Sequence, residues 1–149
     1  LNELLNFRRQ CKLKAIKFYV ANNNSLAVSL NSDGIYLSSF NKSFDSLIYK
    51  KSDFEIIGSA HNFKEISLKI KQGCSFVLLS KLFIVDYDKN APHLGVIKFN
   101  NFAKIYKKLI PLGGIKQENL NNLRNVLSEG LALLSEVKKK PANIINRLF

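Results

Sequence analysis

Short apolar runs alternate along this chain with longer segments in which apolar residues recur at helical spacing. The runs that predict strands cover residues 15–20, 34–37, 54–57, 75–80, 109–112 and 130–135. The segments that predict helices cover residues 1–14, 25–32, 63–72, 99–108, 120–127 and 142–148. Short buried strands that alternate with helices of about ten residues are typical of a parallel α/β sheet, either open or closed into a barrel.

Four residues mark element boundaries in this pattern. Asn62 can cap the start of a helix, and Glu65 stands three residues later, in the position that a capping box uses. Gly73 is a natural stop for the same helix. Gly58 is expected to close the third strand.

In parallel α/β folds the reactive edge lies beyond the carboxyl ends of the strands, so polar residues there are candidates for chemistry. The candidates at these positions are Asn22, Asn41, Ser59, His61, Lys89, Gly113, Gly114 and Ser135. His61 fits an acid, a base or a phosphate contact, and it fits a capping or buried structural residue equally well. Lys89 fits either a charge that covers a bound phosphate or an exposed loop lysine.

The pair Gly113-Gly114 lies between the fifth predicted strand and a helical segment. Two glycines at a strand end leave backbone N–H groups that an anion can approach closely. Ser135 ends the next strand, so its amide and hydroxyl can face the same anion. Because the last two strand–helix loops of a barrel commonly form a phosphate site, we expect one here. The alternative is that the two glycines only make a tight turn.

The charge balance widens the set of partners to consider. The 149 residues carry 23 Lys and Arg against 11 Asp and Glu, a net charge of +12, which favours nucleic acid, anionic membrane or phosphorylated small molecules. Only residues 138–140 form a lysine run, and the aromatic residues stand mostly at apolar positions, so a nucleic-acid-binding module is the less favoured interpretation. The longest apolar run, residues 76–85, contains Lys81 and is too short to span a bilayer.

Two further features bear on the setting of the chain. Cys11 and Cys74 are far apart and lack metal-ligand spacing, which argues against a metal site or a disulfide framework and fits a reducing cytoplasm. The chain contains no methionine and begins at Leu1, so we expect a fragment or the part of something longer. The sequence does not predict an oligomeric state.

Six segments, in this order, resemble thiamine-phosphate synthase and its close relative, the thiazole tautomerase. The segments are Gly34-Ile-Tyr-Leu37, Ile57-Gly-Ser-Ala-His61, Phe76-Val-Leu-Leu-Ser80, Leu94-Gly95, Leu112-Gly-Gly-Ile115 and Gly130-Leu-Ala-Leu-Leu-Ser135. Both enzymes are TIM (β/α)8 barrels. The resemblance implies that the strands here are the third to the eighth, so that residues 1–149 form a single, N-terminally incomplete barrel domain.

The resemblance also implies a reaction. The synthase is a cytoplasmic transferase of thiamine biosynthesis that joins a pyrimidine pyrophosphate to a thiazole phosphate and releases pyrophosphate with magnesium. By resemblance, the residues that bind the thiazole phosphate are Gly113, Gly114, Leu134 and Ser135. The catalytic candidates are His61, Ser59 and Lys89, and the pyrophosphate and metal region contains Asn22 and Asn41.

This chain departs from the family pattern in its metal region and loops. Asn22 and Asn41 stand where the family has aspartates, and Mg²⁺ prefers charged oxygen ligands, so magnesium binding is weakened. The family's Gly-Pro-x-Phe-x-Thr loop reads Ser80-Lys-Leu-Phe-Ile-Val85, and its Gln-x-Arg-x-Lys pyrophosphate motif belongs on the second strand, which we do not find here. The alternatives are a tautomerase-like protein with His61 as acid or base, and an inactive phosphate-binding barrel.

Overall fold

The computed structural model describes residues 2–49 and 53–134. Within these residues the fold is α/β, and five parallel strands form one sheet in chain order. The strands are β1 (Tyr19–Ala21), β2 (Gly34–Leu37), β3 (Glu55–Ala60), β4 (Phe76–Ser80) and β5 (Leu109–Leu112). The α-helices are α1 (Asn2–Leu13), α2 (Asn24–Ser29), α3 (Phe63–Lys71) and α4 (Gly95–Ile105), and there are 3-10 helices at Asp45–Tyr49 and Gln117–Asn125.

The strand predictions for residues 34–37 and 109–112 match the structure and that for 75–80 nearly does, whereas the first, third and last predicted strands need correction. The first strand begins at Tyr19 rather than at residue 15, because Ala15 has a positive φ of 54° and takes part in the turn that ends α1. Gly58 does not close the third strand. It pairs in register with Leu37, and β3 continues to Ala60.

Gly58 has a packing role instead. A Cβ atom at this position would lie 2.8 Å from Lys69 Cδ and 2.9 Å from Cys74 Sγ. A glycine in a strand interior commonly marks such a close approach. Gly58 therefore lets the side chain of Lys69 cross the strand.

The helix predictions differ from the structure mainly at their ends. Helix α4 begins at Gly95 and ends at Ile105, where residues 99–108 were expected, and α2 ends at Ser29 because Asn31 adopts a positive φ of 46°. The helix predicted at 120–127 is a 3-10 helix at Gln117–Asn125. The helix predicted at 142–148 lies outside the described residues.

The last predicted strand, residues 130–135, is reduced to one isolated parallel bridge in the described part of the chain. The bridge joins Ala132 to Leu112, and the Ala132 N–H donates to the Pro111 carbonyl at 2.9 Å. Ser135 lies outside the described residues.

The chain divides into two compact units, residues 1–77 and 78–149. In the first unit, α2 packs on β1 and α3 packs on β3, with Ile35, Leu37 and Ile56 in the core. In the second unit α4 packs on β5, and the buried apolar residues there include Leu79, Leu82, Phe99, Ala103 and Leu109. No helix within the described residues is both long and apolar enough to cross a bilayer.

Candidate functional site

The second unit contains an open cleft at the end of β5. Its walls come from residues 80–81, 85–87, 112–116 and 132–134. Gly113, Gly114 and Leu134 line this cleft. Three of the four residues expected to bind a phosphate therefore line one cleft, and the fourth, Ser135, lies outside the described residues.

The structure gives a backbone reason for both glycines in the cleft. Gly113 and Gly114 have φ angles of +92° and +69°, in the left-handed region that side chains disfavour. A Cβ atom at Gly114 would lie 2.5 Å from the Ile84 carbonyl oxygen, and one at Gly113 would lie 3.2 Å from Lys81 Cα. The close neighbour of the glycine pair is thus the chain segment after β4, which needs no ligand to explain it.

Hydrogen bonds hold that segment in place on both sides. The Leu82 and Phe83 amides donate to the carbonyls of Leu112 and Gly113 at 2.9 and 3.1 Å. On the other side, the Leu94 and Gly95 amides donate to the carbonyls of Lys81 and Leu82 at 2.9 Å each. The wall of the cleft that carries Lys81 is therefore tied to the end of β5 and to the start of α4.

The side chain of Asn119 holds the part of the wall that runs from Gly114 to Lys116. Asn119 Nδ2 donates to the Gly114 carbonyl at 2.8 Å, and Asn119 Oδ1 accepts from the Lys116 amide at 2.9 Å. The turn from Gly114 to Lys116 is thus closed by an amide that uses both its donor and its acceptor. This geometry presents the Lys116 side chain at the rim of the cleft.

Two lysines bring positive charge to the cleft, and neither was predicted from the sequence to have a role. Lys81 Nζ lies 3.9 Å from Asp88 Oδ2 and 5.4 Å from the centre of the Tyr87 ring. Lys116 Nζ forms an ion pair with Asp86 and lies 3.8 Å from Glu118 Oε1. The available sequence signals were the position of Lys81 directly after a strand and that of Lys116 directly after Gly-Gly-Ile.

Lys89 lines a different cleft of the second unit, with an open volume of about 800 Å³. His93 and Asn122 line it too, while Asp86 and Lys116 contribute to both clefts. The predicted lid lysine is therefore exposed beside the second cleft and is not among the residues that line the first.

In the first unit the structure brings Asn22 and Asn41 together beyond the ends of β1 and β2. Asn22 Oδ1 accepts from Asn41 Nδ2 at 3.1 Å and from the Ser38 amide at 3.0 Å. Asn41 Oδ1 accepts from the Ser43 amide at 2.9 Å. Each side-chain oxygen thus already accepts at least one hydrogen bond.

The loop that carries Asn41 is held by a buried cation. Lys69 of α3 is fully buried, and its Nζ donates to the Asn41 carbonyl at 2.7 Å and to Gln72 Oε1 at 2.9 Å. Gln72 Nε2 in turn donates to the carbonyls of Asn41 and Ser43 at 3.1 and 2.6 Å. Desolvation by burial lowers the pKa of the Lys69 ammonium. The last turn of α3 therefore fixes the loop after β2.

The residues of this region do not fit a magnesium ion. Mg²⁺ is bound through charged oxygens in near-octahedral geometry, whereas Asn22 and Asn41 are neutral and bonded to each other. Among the described residues, no group of three or more His, Cys, Asp and Glu side chains could hold a metal ion. We therefore assign no metal-dependent step to these side chains.

His61 and Ser59 occupy different environments. Ser59 does not follow β3 as expected but lies buried inside it, because the strand continues to Ala60. His61 follows the strand and is exposed, and its backbone N–H donates to Glu65 Oε2 at 2.7 Å. Asn62 Oδ1 accepts from the Glu65 amide at 3.0 Å, so the predicted helix cap is confirmed.

Comparison with known proteins finds one family model and several curated relatives of the same kind. The family model of thiamine monophosphate synthase matches residues 1–137. A thiamine-phosphate synthase of Prochlorococcus marinus (strain AS9601) is 30% identical over 142 residues, which cover 92% of this chain and 40% of that protein. A second P. marinus thiamine-phosphate synthase (strain CCMP1986 / NIES-2087 / MED4) is 26% identical over 137 residues, which cover 91% of this chain and 39% of that protein.

A solved structure shares the fold. It is a thiamine phosphate pyrophosphorylase from Pyrococcus furiosus, with a TM-score of 0.70 and 17% identity, covering 93% of this chain and 72% of that one. The chain spans about two-fifths of the length of the two P. marinus relatives. Since the family model covers most of the sequence, this chain belongs to the thiamine monophosphate synthase family.

Proposed function

We propose that this chain is a thiamine-phosphate synthase-type transferase of thiamine biosynthesis, which joins a pyrimidine pyrophosphate to a thiazole phosphate. Family membership supports the reaction class. The observation that carries the proposal is the second-unit cleft, where the Gly113-Gly114 turn and Leu134 meet two lysines. We further propose that the parallel sheet of this chain is part of a (β/α)8 barrel, whose phosphate site lies after its last strands.

In this proposal the thiazole phosphate binds in the second-unit cleft. Its apolar wall, which includes Val85, Leu112 and Ile115, suits a flat heteroaromatic ring. Its polar end, at Gly113 and Gly114, suits the phosphate, and Ser135 would add an amide and a hydroxyl. Binding both ends of the ring compound would orient its nitrogen for attack on the methylene carbon of the pyrimidine pyrophosphate, whose bond to the pyrophosphate oxygen breaks as the new C–N bond forms.

The chemical step needs stabilisation of the departing pyrophosphate, and fixed positive charge and N–H donors can supply it. His61, exposed at the end of β3, and the side-chain amides of Asn22 and Asn41 are the proposed donors of the first unit. Ser59, buried in β3, is proposed to position its neighbours, and Lys89 to add charge beside the second cleft. None of these steps is assigned to magnesium, because the Asn22 and Asn41 side chains do not fit the ion.

The test of this function separates binding from turnover. Calorimetric titration of the chain with thiazole phosphate should give saturable binding, whereas the thiazole alcohol without its phosphate should bind at least tenfold more weakly, as expected when a charged hydrogen-bonding group is lost. Incubation with both substrates should then release pyrophosphate and form thiamine phosphate. Equal affinity for the two thiazoles, or no binding of either, would contradict the proposal.

A tautomerase-like activity is the second candidate. It is favoured by one observation, which is that Asn22 and Asn41 are neutral amides bonded to each other, while the Gly113-Gly114 turn lines an open cleft. In that case His61 would act as acid or base on a thiazole phosphate tautomer. A His61→Asn variant that binds thiazole phosphate normally but no longer interconverts the tautomers would favour this candidate over the synthase.

A further inference from the structure

The two cleft lysines are held by one short turn. Residues 85–88 form a tight turn in which Val85 bridges Asp88 in antiparallel fashion. This turn contributes Asp86 to the ion pair with Lys116 and Asp88 to the contact with Lys81. We name residues 85–88 the acidic turn.

The burial of these groups is asymmetric. The side chains of Lys81 and Lys116 are 24% and 27% exposed, whereas those of Asp86 and Asp88 are 47% and 51% exposed. Ion pairs with such exposed carboxylates contribute little stability, because water competes with them. An anion that enters the cleft can therefore replace the aspartates at modest cost, while the lysines keep their partly buried stems in place.

The backbones of both lysines are already ordered. The Lys81 carbonyl accepts from the Leu94 amide, and the Lys116 amide donates to Asn119. Binding of a ligand to these two ammonium groups therefore costs little backbone conformational entropy, because the segments that carry the lysines are already ordered. A phosphate monoester, with two negative charges and three acceptor oxygens, matches two lysine ammonium groups better than a carboxylate does.

We propose that Lys81 and Lys116 are specificity-determining contacts for a phosphate dianion in this cleft, and that the acidic turn holds both lysines in place until the anion displaces it. This inference rests on the proposed function, since it names the charged contacts of the same phosphate site. It also predicts that two kinds of substitution change the phosphate affinity in opposite directions. Removing a lysine weakens phosphate binding, whereas removing Asp86 strengthens it.

The experiment is calorimetric titration of the whole chain with two probes, inorganic phosphate and thiazole phosphate, at low and at moderate salt. Lys81→Gln and Lys116→Gln should each weaken phosphate binding by about tenfold or more, the usual effect of losing a charge-assisted hydrogen bond. Lys116→Arg should retain most of the affinity, since it keeps the charge. Asp86→Asn should tighten binding severalfold. Lys104→Gln, which removes an exposed lysine from the last turn of α4, is the matched control and should stay within twofold of the unmodified chain.

The outcomes separate this inference from the proposed function. Lysine-dependent binding of inorganic phosphate without binding of thiazole phosphate supports the inference and contradicts the proposed function. Binding of thiazole phosphate that neither lysine variant weakens overturns the inference and leaves the function in place. If Asp86→Asn weakens phosphate binding as much as Lys116→Gln does, with an unchanged melting temperature, the inference is overturned. The ion pair would then be only structural. A chain that binds neither probe contradicts both.

Discussion

Gly113 and Gly114 illustrate how a single residue can have a structural requirement and a proposed functional one at the same place. Their positive φ angles and the approach of the segment after β4 account for the absence of side chains. The sequence correctly indicated a special backbone at this strand end, but it could not show what approaches it. Which segment lies against a turn depends on tertiary packing between residues some thirty positions apart, and local patterns carry no such information.

Gly114 should therefore be far less replaceable than another glycine with the same backbone conformation. Gly114→Ala adds left-handed backbone strain and places a Cβ only 2.5 Å from atoms of the Phe83–Ile84 backbone, so we expect the free energy of unfolding to fall by at least ~3 kcal/mol. Gly95→Ala has almost the same φ, +68°, but its added Cβ meets nothing within 4 Å, so a loss of about 1 kcal/mol is expected. Urea denaturation followed by circular dichroism measures both. Equal losses in the two variants would show that the overlap is relieved by movement of the segment.

Helices and strands were predicted best where strong boundary residues enclose them. β2 and β5 match their predictions, and the cap of α3 was identified from Asn62 and Glu65. The strand at 130–135 was overpredicted in its described part, because its apolar residues were read as a strand while only Ala132 pairs. An apolar run shows that a segment tends to be buried, but the number of backbone pairs it forms depends on its neighbour.

The neighbouring ends of β1 and β2 allow a test of the metal region. In the double variant Asn22→Asp/Asn41→Asp, two carboxylates replace amides that now share a 3.1 Å hydrogen bond. Their mutual repulsion should lower the melting temperature without metal, and Mg²⁺ should restore it by binding both. Titration with magnesium chloride, read by calorimetry and by melting temperature, should detect binding to this variant and not to the unmodified chain.

The control for this test keeps the same change in charge. Asn101→Asp/Asn121→Asp places two carboxylates at exposed positions of the second unit, and magnesium should leave its melting temperature unchanged. Magnesium binding by the unmodified chain with the affinity of the double variant would refute our conclusion that the amides do not fit the ion.

The molecule as a whole has a charge of +12, which by itself would suit a nucleic-acid-binding protein. The sequence favoured an enzyme of the thiamine-phosphate synthase type over a nucleic-acid-binding module, and the family match confirms the family. It did not identify Lys81 or Lys116, because a lysine inside an apolar run or after a glycine turn looks like any solvated charge. The two lysines matter because they line the same cleft, and only the folded structure shows that they do.

The excess charge should produce weak, non-specific binding to duplex DNA. We expect a Kd no tighter than about 10⁻⁶ M at physiological salt, and a loss of affinity of at least tenfold between ~50 and ~200 mM salt, since such binding depends on counterion release. Fluorescence anisotropy with a labelled duplex measures this, and excess duplex should not displace thiazole phosphate. Nanomolar, sequence-selective binding at physiological salt would instead make nucleic acid the primary partner.

Because the Lys69 side chain passes across Gly58, the residue at one of these positions should constrain which residues can replace the other. A methyl group at position 58 would occupy space within 2.8 Å of the lysine stem. Alanine at position 58 should therefore force the Lys69 stem and the Cys74 sulfur to move, which would disturb the hydrogen bond from the lysine ammonium to the Asn41 carbonyl. Glycine at 58 and lysine at 69 are therefore expected to occur together in sequences that keep this loop conformation.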